Sequence, residues 1–204
     1  MYYIGRGLCK IFLRLMGGYT SIGEENIPKT GGVIIAPNHI SYADPPLVGA
    51  GMRRPIHFMA KEELFKVPVL GMFIRYAGCF PVKRGKADRQ ALKRAIGMLE
   101  QGKVICIFPE GTRSPDGKLQ DPELGLGLVA LKSRAPVIPT AVIGTDRVLP
   151  AHSKRPGRFR TKIVYGEPLI FPDLYDIRDS KQAIEEACRR TMTAIEELLS
   201  CNSS

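Results

Sequence analysis

Hydrophobic positions along the chain fall into short runs that alternate between a strand-like and a helix-like spacing. Continuous or alternating apolar runs predict buried strands at residues 33–36, 56–60, 78–82, 103–108, 137–143 and 159–165. Apolar residues spaced three or four positions apart predict helices that begin near residue 45 and cover 62–76, 86–101, 124–133 and 179–199. Strands that alternate with helices indicate an α/β fold. We therefore expect a single domain with a mixed, mostly parallel sheet flanked by helices.

Residues 4–16 predict an amphipathic helix at the N-terminus. Its apolar side chains share one face: Ile4, Leu8, Ile11, Phe12 and Leu15. Its cations recur on the other face: Arg6, Lys10 and Arg14. The segment is too short for a bilayer span, which needs about 20 apolar residues. Two interpretations remain open: a helix that lies in a membrane interface, and a helix that covers the domain's own core.

Composition adds a requirement for an anionic partner. The 204 residues include 30 Lys and Arg against 20 Asp and Glu, and residues 81–160 alone hold 16 basic and 7 acidic residues. A basic section of this kind suits a phosphate ester, an acidic lipid surface, an acidic protein or a nucleic acid. Trp is absent, aromatic residues make up 7%, and no RRM or helix-turn-helix pattern is present. These features argue against a nucleic-acid partner.

Five widely spaced cysteines without a CxxC pair argue against a structural zinc site. Cys79 and Cys106 lie in apolar runs and are expected to be small buried hydrophobes in a reducing cytosol. The N-terminal apolar stretch lacks a small-residue cleavage site, so we predict no secretory signal.

A first polar cluster, which includes His39, Ser41 and Asp44, follows the strand predicted at 33–36. In open α/β sheets, ligands bind beyond the carboxyl ends of strands. A histidine oriented by a carboxylate is a general base for a hydroxyl group, and the turn between His39 and Asp44 is short enough for their side chains to meet. The alternative is a capping box, in which Ser41 caps the next helix and Asp44 bonds back to it. Asp44 could serve both purposes.

A covalent enzyme intermediate is not favoured by the sequence. Ser41 lies too close to His39 along the chain to be assumed its nucleophile, and the chain has no G-x-S-x-G elbow. Cys79 and Cys106 remain possible nucleophiles, but each lies in a strand-like apolar run. We therefore predict direct attack of a substrate hydroxyl on an activated carbonyl.

A second polar cluster, Glu110-Gly111-Thr112-Arg113, follows the strand predicted at 103–108 and is called the 110–113 turn below. Glycine lets backbone N–H groups point at an anion, the threonine hydroxyl adds a donor, and the arginine adds a planar fork suited to phosphate. A solvated surface turn is the alternative. Lys83-Arg84 forms a second basic edge.

Four sequence blocks together resemble those of the glycerolipid acyltransferases. In chain order they are N-H-I-S-Y-A-D-P from Asn38, G-C-F-P-V-K-R from Gly78, F-P-E-G-T-R-S from Phe108 and V-I-P-T-A-V from Val137. The resemblance covers about residues 22–168, and it is strongest to bacterial 1-acylglycerol-3-phosphate acyltransferases of the short kind that do not span the membrane. Because all four blocks occur in the family's order, the resemblance is specific.

The resemblance implies a reaction and a set of roles. His39 would take the proton from the free hydroxyl of lysophosphatidic acid, and Asp44 would orient His39. The acyl group would come from acyl-CoA or acyl carrier protein, with no metal or cofactor, and the product would be phosphatidic acid. The acceptor phosphate would be held by Arg84, by the 110–113 turn and, with lower rank, by Lys61. Another acceptor (glycerol 3-phosphate, another lysophospholipid or an ornithine-type lipid) and a phosphate-binding module without catalysis remain alternatives.

The resemblance favours the interpretation that the N-terminal helix contacts a membrane, because the acceptor and the product both reside in a bilayer. We expect residues 1–20 to form a membrane-contact helix beside a domain at 21–204, helped by the apolar segment at 67–80. The expected location is cytoplasmic, peripheral on the inner face of the cell membrane with its anionic lipid. Two positions depart from the family pattern: Lys83 replaces a frequent Asp or Asn, and Glu123 lies where a basic residue is common. Glu123 would repel phosphate, so we expect that edge to point away from it.

Overall fold

A computed structural model describes residues 2–76, 78–83, 88–149, 156–177 and 180–202. Within these ranges the strands form a seven-stranded sheet. The strands are β1 Tyr19–Ile22, β2 Val33–Pro37, β3 Ile56–Lys61, β4 Phe80–Val82, β5 Val104–Cys106, β6 Val137–Ile143 and β7 Thr161–Tyr165. The helices are α1 Tyr2–Leu15, α2 Asp44–Gly51, α3 Pro68–Tyr76, α4 Arg89–Glu100, α5 Gly125–Ser133, α6 Thr145–Val148 and α7 Ser180–Asn202. Short 3₁₀ turns lie at Glu24–Asn26, Glu62–Lys66 and Pro172–Leu174.

The strand order is β1-β7-β6-β2-β5-β3-β4. Every neighbouring pair is parallel except β6 with β7, which is antiparallel. Ile35 in the middle of β2 is level with Cys106 of β5 and with Ile138 of β6. The carboxyl ends of β6, β2 and β5 therefore meet at one edge, and the predicted mixed, mostly parallel α/β sheet is confirmed.

Helices cover both faces of the sheet. Along β2, Ile34 and Ala36 pack toward α4, α5 and α7, whereas Val33 and Ile35 pack toward α1 and α2. These four side chains are fully buried. A strand buried on both faces reads as a continuous apolar run rather than an alternating one. This is why residues 33–36 could be recognised from the sequence.

The last predicted strand does not end the sheet. β1 pairs with β7 in parallel on its outer side, with Tyr19 level with Thr161 and Ile22 level with Val164. β1 has the sequence Tyr-Thr-Ser-Ile and is half-buried to exposed. Three of its four residues carry a hydroxyl group, so this edge strand has no apolar run and was not predicted.

Helix α1 packs on α2 through one face and exposes apolar side chains on the other. Leu13 is 1% exposed, and Tyr2, Cys9 and Phe12 pack against the same core. The second interpretation, a helix that covers the domain's own core, therefore describes one face of α1, and Phe12 belongs to that inner face. The exposed apolar side chains, called the α1 stripe below, are Ile4, Leu8, Ile11 and Leu15. The boundary expected after residue 20 falls inside β1.

In the portion of the chain that is described, each helix is too short or too polar to cross a membrane. All five cysteines are free. Cys106 is buried, Cys79 is half-buried and Cys201 is exposed.

Candidate active site

The candidate site lies at the carboxyl edge of the parallel strands. β2 leads into Asn38 and His39, β5 leads into the 110–113 turn, and β6 leads through Gly144 into Thr145. Because these three strands are neighbours in the sheet, the topology alone brings the segments together. Two of the segments were predicted from the sequence, and the one at Thr145 was not.

His39 and Asp44 are in direct contact. Nδ1 of His39 lies 2.7 Å from Oδ2 of Asp44, and both side chains are almost fully buried. A carboxylate only accepts hydrogen bonds, so Nδ1 carries the proton and Nε2 is left as the basic nitrogen. The imidazole also stacks on Phe108, with ring centroids 4.0 Å apart. This is the arrangement expected of a histidine base oriented by a carboxylate.

Asp44 accepts three further hydrogen bonds. Its Oδ2 accepts the backbone N–H groups of Ile40 and Ser41, each at 2.8 Å. Its Oδ1 accepts the hydroxyl of Thr145, which is fully buried. Four donors therefore fix the carboxylate that faces His39. Thr145 could have been found from the sequence only by its place just after the apolar strand β6.

The capping interpretation of Ser41 and Asp44 is correct in part. Asp44 is the first residue of α2 and accepts the N–H of Ser41, as a capping box requires. Ser41, however, is not the helix cap, a position held by Ala43. The Ser41 hydroxyl donates to the carbonyl of Leu149 at 2.9 Å, so it is not aimed at His39 as a nucleophile would be. Asp44 thus opens the helix and contacts the imidazole at once.

Asn38 sets the direction of the chain that carries His39. Its side-chain Nδ2 donates to the carbonyl of Val142 at 3.0 Å, and its Oδ1 accepts the N–H of Val142 at 2.7 Å. The buried amide therefore continues the pairing of β2 with β6 beyond the end of β2. This pair of bonds holds the first residue after the strand in one orientation.

Glu110 is turned into the protein. Its side chain is buried, Oε1 accepts the N–H of His39 at 2.7 Å, and Oε2 accepts the N–H of Gln120 at 3.0 Å. Burial raises the pKa of Glu110, and the two N–H bonds oppose that rise. Both oxygens of Glu110 are engaged with backbone groups, so Glu110 braces His39. The Gly111 N–H donates to the carbonyl of Phe108 at 3.1 Å, so the groups of the 110–113 turn that remain for a ligand are Thr112 and Arg113.

The loop after β5 also holds the other backbone group of His39, because the N–H of Ser114 donates to the His39 carbonyl at 2.7 Å. Within the 110–113 turn, Gly111 has φ +67°, a left-handed conformation that favours glycine. Thr112 is exposed, and the guanidinium of Arg113 lies 3.6 Å from the ring centroid of Tyr42. Tyr42 belongs to the same loop as His39, so this stacking places a cation against the loop that carries the histidine–carboxylate pair.

Lys61 and Arg84 are the two other residues predicted to bind the phosphate. Lys61 ends β3 at the same edge, two strands from β2, or about 10 Å across the sheet. Its Nζ lies 3.6 Å from Oε1 of Glu63, and both side chains are exposed. Arg84 lies outside the described residues. Across the described ranges, no group of three or more His, Cys, Asp and Glu side chains is placed to hold a metal ion.

Glu123 corrects one expectation. The sequence suggested that this edge points away from the proposed phosphate turn, but the Glu123 side chain lies directly against Gly111. The Glu123 N–H donates to the carbonyl of Pro109 at 2.8 Å, which ties the two segments together.

The cysteines near the sheet are not activated nucleophiles. Burial raises the pKa of Cys79 to about 11 and that of Cys106 well above its ordinary value. A thiol with a raised pKa stays protonated at neutral pH and is a poor nucleophile.

Comparison with known proteins agrees with this geometry. The chain is 31% identical over 203 residues to the 1-acyl-sn-glycerol-3-phosphate acyltransferase of Bacillus subtilis, with 98% of each chain covered. It is 32% identical over 106 residues to the lyso-ornithine lipid O-acyltransferase of Pseudomonas aeruginosa, over 52% of this chain and 40% of that one. The fold matches the crystal structure of the 1-acyl-sn-glycerophosphate acyltransferase PlsC from Thermotoga maritima with a TM-score of 0.79. That match has 30% identity and covers 97% of this chain and 79% of the other.

The family model described as Acyltransferase matches residues 19–143, which run from β1 to the end of β6. These residues contain His39, Asp44 and the 110–113 turn. The chain therefore belongs to the acyltransferase family and is an acyltransferase.

Proposed function

We propose that this enzyme moves a fatty acyl group from acyl-CoA or acyl carrier protein to the free hydroxyl of 1-acylglycerol 3-phosphate, which gives phosphatidic acid. The observation that carries the proposal is the 2.7 Å contact between His39 Nδ1 and Asp44 Oδ2, in a loop whose Tyr42 stacks on the guanidinium of Arg113. The Bacillus subtilis relative, which matches this chain over 98% of both lengths, bears the name of that activity.

The proposed chemistry needs one base and no covalent enzyme intermediate. His39 Nε2 accepts the proton of the acceptor hydroxyl while the hydroxyl oxygen attacks the thioester carbonyl carbon. Asp44 stabilises the imidazolium that forms and keeps the ring in place. The new C–O bond forms, the C–S bond breaks, and the leaving thiolate takes its proton from His39. Donor, acceptor and enzyme are thereby balanced without an added reactant.

The acceptor phosphate is proposed to bind at the outer part of the 110–113 turn. Thr112 offers a hydroxyl and Arg113 offers a planar fork, which matches phosphate oxygens. Lys61 and Arg84 are assigned to the same phosphate by family resemblance. Glu110 is proposed to act through His39, whose N–H it accepts.

The test follows free thiol release from acyl-CoA with and without 1-acylglycerol 3-phosphate. Wild-type enzyme should release thiol only with the acceptor, and His39→Ala should lower the rate at least 100-fold because an unassisted hydroxyl is a poor nucleophile (general-base assistance is worth roughly 10² to 10⁴). His57→Ala is the matched control, since His57 lies near the amino end of β3, at the opposite edge of the sheet. Unchanged turnover by His39→Ala would remove His39 as the base.

A second acceptor is favoured by one observation, the match to a lyso-ornithine lipid acyltransferase over half of this chain. An acceptor screen with glycerol 3-phosphate and lyso-ornithine lipid separates the two. Acylation of either one, with none of 1-acylglycerol 3-phosphate, would overturn the acceptor but leave the chemistry at His39 intact. Binding of phosphate compounds without any thiol release would instead favour a binding module.

We also propose that the α1 stripe attaches the enzyme to the inner face of the cell membrane. Its four apolar side chains are 53–64% exposed, although α1 buries its other face in the core. Exposed apolar residues at i, i+4, i+7 and i+11 suit a helix lying in the membrane interface, where the exposed Arg14 would meet lipid phosphates. Val69 and Met72 of α3 are exposed as well and would extend this contact.

Attachment is tested with vesicles that contain anionic lipid. The triple variant Ile4→Gln/Leu8→Gln/Ile11→Gln should co-sediment at least tenfold less than wild type, because each buried apolar side chain is worth roughly 1.5–3 kcal/mol. Ile170→Gln is the control, since Ile170 is 61% exposed but lies outside α1. Deletion of residues 1–17 is a poorer test because it also removes the buried Leu13. Full co-sedimentation of the triple variant would refute the role of the stripe.

A further inference from the structure

Glu123 places a free carboxylate beside the turn proposed to hold the head group. A Cβ built on Gly111 would lie 2.7 Å from Cγ and 3.6 Å from Cδ of Glu123. The Glu123 side chain therefore covers one side of Gly111, and a larger residue at position 111 would require that side chain to shift. Glu123 is exposed, and among the residues that the structure describes no Lys, Arg or His lies within ion-pair distance of it.

The position of this charge matters for any anion bound at the outer part of the 110–113 turn. Thr112 directly follows Gly111, and consecutive Cα atoms are about 3.8 Å apart, so an anion held by the Thr112 hydroxyl lies on the order of 10 Å from the Glu123 carboxylate. That separation is comparable to the Debye length at moderate salt, so the repulsion is felt at low ionic strength and screened at high ionic strength. Arg113 is stacked on Tyr42 and forms no ion pair with Glu123 that would neutralise its charge.

We propose that Glu123 is a specificity residue for the acceptor head group. Its carboxylate weakens the binding of doubly charged phosphate monoesters and favours head groups that carry less negative charge or a cation beside the acidic group. The inference rests on the proposed function, because it places the head group at the 110–113 turn. It makes charge discrimination, rather than shape alone, a property of this site.

The experiment compares Glu123→Gln with wild type, since glutamine keeps the size of the side chain and its packing on Gly111 but removes the charge. The probes are glycerol 3-phosphate, a dianion, and glycerol 3-phosphoethanolamine, a zwitterion, each measured by calorimetric titration. At about 20 mM salt, Glu123→Gln should bind glycerol 3-phosphate about three- to tenfold more tightly, and at about 0.5 M salt the gain should fall below about twofold. Binding of glycerol 3-phosphoethanolamine should stay the same or weaken.

Glu100→Gln is the matched control, because it removes one exposed acid at the far end of α4. An equal gain in Glu100→Gln, or unchanged or weaker glycerol 3-phosphate binding in Glu123→Gln, would overturn the inference. Failure of wild type to bind glycerol 3-phosphate would also overturn it. Acylation assays separate it from the proposed function. A charge-dependent gain without acylation of 1-acylglycerol 3-phosphate refutes only the function, and acylation without the gain refutes only the role of Glu123.

Discussion

Replacement of Thr145 by valine removes one hydrogen bond from Asp44 while the shape of the buried side chain is kept. Thr145 is fully buried and its hydroxyl donates to Oδ1 of Asp44. A hydrogen bond to a charged group is worth about 1.5–3 kcal/mol, and the oxygen left behind is buried without that donor. We therefore expect the free energy of unfolding of Thr145→Val to fall by about 1.5–3 kcal/mol. At about 2–4 °C per kcal/mol for a domain of this size, the melting temperature should fall by roughly 3–12 °C.

Thr191 supplies a matched control for the stability measurement. It is also fully buried, but its hydroxyl donates to the neutral Ala187 carbonyl at 2.8 Å within α7. Thr191→Val should cost only about 0.5–1.5 kcal/mol. Urea unfolding of the two variants beside wild type separates a hydrogen bond to a carboxylate from an ordinary buried hydroxyl.

Activity gives the second measurement for Thr145. With one donor lost, Asp44 holds the His39 ring less firmly, so kcat of Thr145→Val should fall about tenfold, which corresponds to about 1.4 kcal/mol. KM for the acceptor should be unchanged, and Thr145→Ser, which restores the hydroxyl, should recover most of the rate. If Thr145→Val proves as stable as Thr191→Val and as active as wild type, the hydroxyl neither supports nor positions Asp44.

Three further predictions concern the same face of the sheet and the thiols. Burial raises the pKa of Glu110, so the folded protein binds this proton more tightly than the unfolded chain does. Its wild-type contribution to stability should therefore decline relative to Glu110→Gln as pH rises from about 4.5 through the raised value, and urea unfolding across about pH 4–7 should show that sign. Arg113→Lys keeps the charge but loses the planar stacking on Tyr42, so KM for the acceptor should rise about tenfold at similar kcat in steady-state assays. A thiol reagent at about pH 8 should label the exposed Cys201 quickly in native protein and Cys79, whose pKa burial raises to about 11, only after denaturation, and Cys201→Ser should remove the fast phase.

The local pattern of apolar residues was enough to predict the strands that are buried on both faces of the sheet. The apolar runs at 33–36 and 137–143 correspond to β2 and β6, the neighbours that lead into the candidate site. β1 escaped prediction because its neighbour β7 lies about 140 residues away in sequence and its own residues are half polar. The sequence also did not predict that α1 buries one apolar face and exposes another. Phe12 and Leu15 look equivalent on a helix, and only the position of α2 distinguishes them.

In the candidate site, too, contacts between residues close in sequence could be predicted and contacts between distant residues could not. His39 and Asp44 lie five residues apart in one turn, and their contact could be predicted. Thr145 reaches Asp44 across 101 residues, and no local pattern reports that approach. The inward direction of Glu110 was also beyond the sequence, because it depends on the unpaired N–H groups of His39 and Gln120 that meet there.

The loop after β5 forms hydrogen bonds with both backbone polar groups of His39. The Glu110 side chain accepts the His39 N–H, and the Ser114 N–H donates to the His39 carbonyl. Exchanging this loop between relatives to obtain a new acceptor will therefore also disturb His39, the proposed base. Such chimeras need residues 38–44 and 108–120 transplanted as one block. A library that varies only positions 112 and 113 keeps the two hydrogen bonds that Glu110 and Ser114 form with the backbone of His39.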